Sequence, residues 1–221
     1  MKFLKSILTK VTLLCILAAA IGAVTTAEAA NVEKIIKKVQ KKYRSTKTIR
    51  IEFKEMATFQ LTGMTTEVSA TLQMEGKEKF RLESEDQVLV NNGTTMWRFN
   101  KLDSQVLVDD AKKDQQDAML NSLLYEINDH YFSELIEEKK ENGVKKYSIK
   151  LTPKPSEQSY FTSIKILVRD KSWEIEQLTY TDYNGNETEY AIEKIDFNPG
   201  FNDAVFSFVP PEGIQVIDLR Y

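Results

Sequence analysis

The stretch Thr48-Ile49-Arg50-Ile51-Glu52-Phe53-Lys54 decides how this chain folds. Ile49, Ile51 and Phe53 alternate with Arg50, Glu52 and Lys54, a period of two that puts apolar side chains on one face of an extended strand and charged ones on the other. Immediately upstream the period is 3.6. Over residues 31–45, Val32, Ile35, Ile36, Val39 and Tyr43 fall on one stripe with lysines opposite, and Asn31 suits an N-cap, so the pattern predicts an amphipathic helix. The change of period marks a helix that leads into a sheet.

The two-residue period continues through Val68, Ala70, Leu72 and Met74, then Phe80 and Leu82. One apolar and one wet face is how antiparallel sheet reads. Gln87–Val90 and Thr94–Phe99 flank Asn91-Asn92-Gly93, a hairpin signal because Asn and Gly tolerate positive φ. A helical interruption is expected at Ala118, Met119, Leu123 and Ile127. A second short helix is expected at Tyr131, Phe132, Leu135 and Ile136, stopped by Asn142-Gly143. Sheet resumes with Tyr147, Ile149 and Leu151, then Ile164, Ile166 and Val168, then Trp173, Ile175, Leu178 and Tyr180. After an Asn184-Gly185-Asn186 turn come Tyr190, Ile192, Ile195 and Phe197, and Ile214–Leu219 closes the chain as a last extended piece. The expectation is a mainly β (α+β) single domain: a long antiparallel meander with helices at its start and in its middle.

The 221 residues are 42% hydrophobic and 29% charged, with one Cys, one His and eight Gly. That excludes a disulfide scaffold, a disordered tail and a polytopic membrane protein. Residues 1–29 read as a secretory signal peptide: Lys2, Lys5 and Lys10, the apolar run Val11 to Val24, and Ala27-Glu28-Ala29 before a cleavage site at Ala30. Acylation at Cys15 is the competing reading, disfavoured by Leu14 before it and by an apolar run that mostly follows it. Removing 1–29 takes away three lysines, one glutamate and the only Cys, and moves the formal net charge from −3 to −5. The expected location of residues 30–221 is the periplasm, as a thiol-free domain. Its mild acidity argues against nucleic acid, whose binders carry basic stripes. Lys34, Lys37, Lys38, Lys41, Lys42 and Arg44 read as a solvated helix face, with a partner-docking patch as the other option.

Chemistry-bearing motifs are missing. There is no G-x-S-x-G elbow, no H-E-x-x-H and no phosphate loop. His130 reads as a surface or cap histidine, with no evident Ser or Cys to activate. Glu137-Glu138 and Asp109-Asp110 sit in charged runs, and Asn92-Gly93-Thr94 and Asn186-Glu187-Thr188 match a glycosylation pattern only at hairpin turns. The chain is read as a non-enzyme without metal or cofactor. What remains is an apolar sheet face that helices, another sheet or a ligand must cover. Met56, Met64, Met74, Met96 and Met119 suit variable partners or ordinary core gaps equally. Pattern alone does not separate a filled core from an acyl-chain cavity.

Two segments carry a specific likeness. Gln87-Val88-Leu89-Val90-Asn91-Asn92-Gly93-Thr94-Thr95-Met96-Trp97-Arg98-Phe99-Asn100 resembles the "v-DG-tlW-yn" hairpin of the LolA family of periplasmic lipoprotein carriers. Phe206-Ser207-Phe208-Val209-Pro210-Pro211-Glu212-Gly213-Ile214-Gln215-Val216-Ile217-Asp218 resembles that family's closing "F-F-PP-GV-vid" segment. Leu151-Thr152-Pro153-Lys154 and the opening helix followed by Ile49-x-Ile51-x-Phe53 are similar too. The resemblance implies an incomplete antiparallel β-barrel (half-barrel) with an α-helical lid, and a monomeric carrier of acylated outer-membrane lipoproteins. It implies an inner-membrane ABC-type release complex as donor and an outer-membrane acceptor as recipient. The cleft liners expected on this basis are Ile51, Phe53, Leu72, Met74, Phe80 and Leu82, extended by Met96, Ile166 and Val168, with Met119, Leu123 and Leu124 on the lid side. One departure stands out. The family's lid-latching Arg in a "K-R-P" context has no counterpart in Met74-Glu75-Gly76-Lys77-Glu78-Lys79-Phe80, where Lys77 takes the matching place. Two rivals are a lipid- or lipoprotein-sensing regulatory module of the same fold and a lipid-modifying enzyme. The first would need a further interaction domain, the second a nucleophile–base pair or metal set.

Overall fold

Alternating side chains build strands that join edge to edge in one sheet. The computed structural model describes residues 31–111, 123–157 and 159–220. Its strands are β1 (Thr48–Thr58), β2 (Thr65–Glu75), β3 (Lys79–Ser84), β4 (Gln87–Asn92), β5 (Thr95–Asn100) and β6 (Gln105–Asp110). There follow β7 (Tyr131–Glu141), β8 (Val144–Pro153), β9 (Phe161–Arg169), β10 (Ile175–Asp182), β11 (Glu187–Phe197) and β12 (Gln215–Asp218). The order across the sheet is β12-β6-β5-β4-β3-β2-β1-β11-β10-β9-β8-β7. Two meanders, β1–β6 and β7–β11, are therefore joined by the long β1–β11 pair, in which Ile49 lies opposite Phe197 and Thr58 opposite Glu187. A bulge between Glu52 and Phe53 adds bend and twist to this seam. The end strands β7 and β12 do not pair with each other, so the barrel is incomplete. The β7 edge carries Glu134, Glu137, Glu138, Lys139, Lys140 and Glu141, the charge that discourages edge-to-edge association.

The apolar concave face is covered by helix. Residues 31–44 form α1, whose stripe Val32, Ile35, Ile36, Val39 and Tyr43 is at most 4% exposed and belongs to the same cluster as Ile49, Ile149 and Ile166. Asn31 is already helical rather than a cap, and its side-chain amide donates to Glu138 at 3.4 Å. The Tyr43 hydroxyl accepts from the Ile175 amide at 3.2 Å, and burial pushes this phenol's pKa up. The Lys38 and Lys42 ammonium groups sit over the Trp173 and Phe197 rings, Nζ 4.2 and 3.9 Å from the centroids, so these two lysines of α1 cap aromatic rings of the core rather than only facing solvent. Beside α1 lie a helical turn at 123–125 and α2 (Ile127–His130). Among the described residues no helix is long and apolar enough to cross a membrane.

The structure departs from the sequence pattern in three places. Tyr131, Phe132, Leu135 and Ile136 are in strand β7, not in a helix. Four is a multiple of the strand period and close to the helix period, so this spacing fits both, and pairing with β8 along the whole of β7 decides it. Asn142-Gly143 accordingly turns a hairpin instead of ending a helix. Gln87–Val90 is not half-wet: Val88, Leu89 and Val90 are all buried, because the C-terminal turn Asp203–Phe206 packs on the outer side of β3 and β4. The last strand, β12, runs parallel to β6, so the sheet is not wholly antiparallel. Trp173 stands before β10 with φ +59° and stacks on Tyr147.

Ile149 is fully buried on β8 while Ile136 on β7 is 53% exposed. Ile149→Ala is expected to cost about 3 kcal/mol and lower Tm by about 10 °C. Ile136→Ala is expected to stay within about 0.5 kcal/mol. Thermal and denaturant unfolding followed by circular dichroism measure both.

Candidate functional site

The helices cover the concave face incompletely. Between them and the sheet lies a cavity of about 230 Å³, larger than the ~150 Å³ apolar cavity known to admit benzene. On β1, β2, β3 and β11 the wall is one parity of the strand, and on β10 a bulge between Ile175 and Gln177 changes the parity. β1 contributes Ile51, Phe53 and Glu55, and β2 contributes Val68, Ala70 and Leu72 from directly opposite positions. Leu82 and Ser84 continue the wall on β3. Ile175, Leu178, Tyr190 and Ile192 line the other flank from β10 and β11, and Tyr43, Leu123 and Leu124 face them from the helical side. Ser84, Asp86 and Gln87 bring the wall out to solvent at the β3–β4 turn, which marks the mouth.

Of the residues expected to line a cleft, Ile51, Phe53, Leu72, Leu82, Leu123 and Leu124 bound this cavity. Met74, Phe80, Met96, Ile166 and Val168 lie on the apolar side but are at most 2% exposed and packed into the core, away from the cavity wall. Met119 lies outside the described residues. The reason is depth: Ile49, Met74 and Phe80 stand opposite one another near the β2–β3 turn, where the core is filled and Tyr125 reaches Gly76, whereas the hollow sits toward the other end. Val68, Ala70 and Glu55 continue the parities of Leu72 and Phe53 and were legible in principle. A carboxylate in the series hid Glu55.

Glu55 is half-buried. Burial raises its carboxyl pKa, partly countered by a hydrogen bond from the Tyr190 phenol. Tyr190 in turn sits edge-on to Phe53 at 5.5 Å and beside Tyr180 at 6.0 Å, and burial pushes its phenol up strongly. With Asp86, this gives the wall two carboxylates and, among the described residues, no basic side chain. Among the described residues, no grouping of His, Cys, Asp or Glu suits a metal ion.

A polar network fastens the segment 123–130. Gln40 and Arg44 of α1 both donate to the Tyr125 carbonyl, at 2.9 and 2.7 Å. The Tyr125 hydroxyl donates to the Gly76 carbonyl at 3.1 Å. Lys77, in the β2–β3 turn, forms an ion pair with Glu126. Glu126 also meets His130 Nε2 at 3.3 Å, and His130 Nδ1 meets Glu157 at 2.9 Å. The two carboxylates raise the His130 pKa, Glu157 most, while Lys77 foremost holds the Glu126 carboxyl below its usual range. His130 therefore does more than the surface role expected of it: it bridges the lid segment to the β8–β9 loop.

Known proteins share this chain's sequence pattern and its fold. The family model described as "Outer membrane lipoprotein carrier protein LolA" matches residues 44–209. An uncharacterised protein of Methanocaldococcus jannaschii is 26% identical over 194 residues, 85% of this chain and 54% of that protein, so the chain spans about half of that relative's length. An outer-membrane lipoprotein carrier protein of Histophilus somni is 23% identical over 155 residues, 69% of this chain and 72% of that one. A crystal structure of an uncharacterised conserved protein from Thermus thermophilus shares the fold at a TM-score of 0.57 and 10% identity, covering 85% of this chain and 99% of that one.

The latch has a pH window. The His130 contribution is complete below its unfolded value of 6.5 and is lost as pH rises through the raised folded value. The Glu126 and Glu157 contributions are complete above 4.5 and are lost as pH falls through their depressed folded values. Lys154, near Glu157, and Asp129, 3.8 Å from Arg44, complete the charged surroundings. Hydrogen exchange of amides 123–130, corrected for intrinsic rates, is expected to be slowest between pH 4.5 and 6.5 and faster once the pH has passed the raised His130 value. Lys77→Met is expected to speed it wherever Glu126 is ionised, and His130→Gln to remove the alkaline rise.

Proposed function

The chain belongs to the LolA family of outer membrane lipoprotein carrier proteins, and on that premise we propose that it is a periplasmic carrier of acylated lipoproteins. In this reading residues 1–29 direct export and are cleaved, and the domain 30–221 shields acyl chains between an inner-membrane ABC-type release complex and an outer-membrane acceptor. The observation that carries it is the cavity: apolar strand faces around a hollow, with a lid segment held by polar contacts at one side. Each lipid methylene removed from water is worth about 0.8 kcal/mol, so a dozen amount to about 10 kcal/mol. An apolar pocket meets that cost without any catalytic group. Glu55 and Asp86 at the wall disfavour an anionic phosphate head, which supports acyl chains on a protein over free phospholipid as cargo. The hollow is small for that cargo. On the scale at which ~150 Å³ holds benzene, about 230 Å³ holds on the order of ten carbons. The structure is therefore read as a closed state whose lid segment moves for loading.

Incubating the mature protein with spheroplasts is expected to bring newly made lipoproteins into the soluble fraction as a complex. Ala70→Phe, which fills the cavity without adding charge, and Leu82→Asp, which puts a carboxylate in its wall, are each expected to cut this release at least about tenfold. Tm is measured alongside. Lipoproteins that stay in the membrane with folded wild-type protein, or normal release by both folded variants, overturn the carrier reading.

A further inference from the structure

The β1–β2 hairpin ends in a tip, residues 59–64, that exposes Phe59, Leu61 and Met64 by 43%, 95% and 60%. This exposure is built in. Phe59 N–H donates to the Met64 carbonyl at 2.9 Å and Gly63 N–H to the Phe59 carbonyl at 2.8 Å. Gly63 at φ +66° supplies the left-handed backbone that the turn requires. Gln60 N–H donates to the Asn186 side chain at 3.0 Å, which bolts the tip to the β10–β11 turn. At that same end of the sheet Tyr183 is 71% and Tyr160 74% exposed. Met56 through Thr66 contains no ionisable side chain, in a chain 29% charged.

The tip also stands past the cavity mouth. Ala70 pairs with Ser84, the last residue of β3, and β2 begins five residues further on at Thr65, about 17 Å along the strand. We propose that this tip is a membrane-docking wedge: Phe59, Leu61 and Met64 enter the interfacial layer of a bilayer, and Tyr183 and Tyr160 sit at headgroup level. Three side chains on one turn offer far less than the ~1,200–2,000 Å² of a stable protein interface, and the stretch has no charge to set register with a protein partner. A bilayer asks for neither shape nor charge complement, only apolar groups that reach below the headgroups, with Tyr at the boundary. Such docking holds the mouth beside the membrane surface. It goes beyond the carrier reading and requires no cargo.

Flotation of the purified protein with vesicles of neutral phosphatidylcholine, and with vesicles also containing anionic phosphatidylglycerol, tests it. Wild type is expected to float with both, with little dependence on salt. Leu61→Asp is expected to weaken vesicle binding about tenfold with unchanged Tm, since Leu61 makes almost no buried contact. Binding of a fluorescent acyl probe to the cavity is measured in parallel and is expected to be equal in both proteins. Its failure would count against the carrier reading and leave the wedge standing. Wild type that floats with neither vesicle, Leu61→Asp that floats like wild type, or a wild-type dimer in sedimentation that Leu61→Asp dissolves, each overturns the wedge.

Discussion

Everything in this structure depends on one geometric constraint: a sheet with an apolar concave face that does not close on itself. A closed barrel has no edge strands, and its interior is walled by sheet on every side. Here β7 and β12 end the sheet unpaired, and the concave face must be covered by something other than sheet. Helix α1 supplies most of the cover, with Ile36 and Val39 fully buried. A straight helix cannot match the curve of the strands along their whole length. Where the match fails, around Ala70, Leu82 and Leu178, the hollow remains.

The segment 123–130 is held differently from α1. Its apolar anchors are Leu123, Leu124 and Ile127. Its remaining fastening is a set of hydrogen bonds and ion pairs through Tyr125, Glu126 and His130. Ion pairs as exposed as Lys77–Glu126 are each worth about 0–1 kcal/mol. Where an arginine's planar fork would hold a partner in two directions, Lys77 offers a point charge on a flexible stem. The result is a segment with one defined resting position, held by polar contacts that are individually weak.

How much of this was legible in the sequence varies by element, for physical reasons. The α1 stripe was readable because its 3.6 period runs for more than three turns, and β1 because Ile49, Ile51 and Phe53 alternate with charge. The parity of the cavity wall followed from the same alternation, so Ile51, Phe53, Leu72 and Leu82 were found together. Depth along the strand was not readable: Met74 and Phe80 share the face of Leu72 and Leu82 and differ only in lying nearer the filled end by the β2–β3 turn. Strand β7 was misread because Tyr131/Leu135 and Phe132/Ile136 repeat at four residues, a spacing that a helix face and a strand face share. The parallel β12 and the cover on Val88 and Val90 depend on contacts across more than a hundred residues, which no local pattern carries.

On the proposed carrier reading, a protein of this shape must also release what it holds. If the acyl chains bring about 10 kcal/mol of burial and the lid's polar fastening only a few, the latch does not set the strength of binding. Its effect falls on the empty protein. By holding 123–130 over Leu82 and Ala70 it keeps the apolar wall away from water when no chain is present, and cargo must displace it to enter fully. Loading then exchanges lid contacts for cargo contacts, and unloading restores them, so the free energy of release is smaller than the burial alone would demand. A stronger latch would make the empty state too stable to load. A weaker one would leave an apolar cleft open to self-association. On the same reading Lys77, where the resemblance implies an arginine, favours easier opening, in keeping with a resting cavity too small for a full acyl chain.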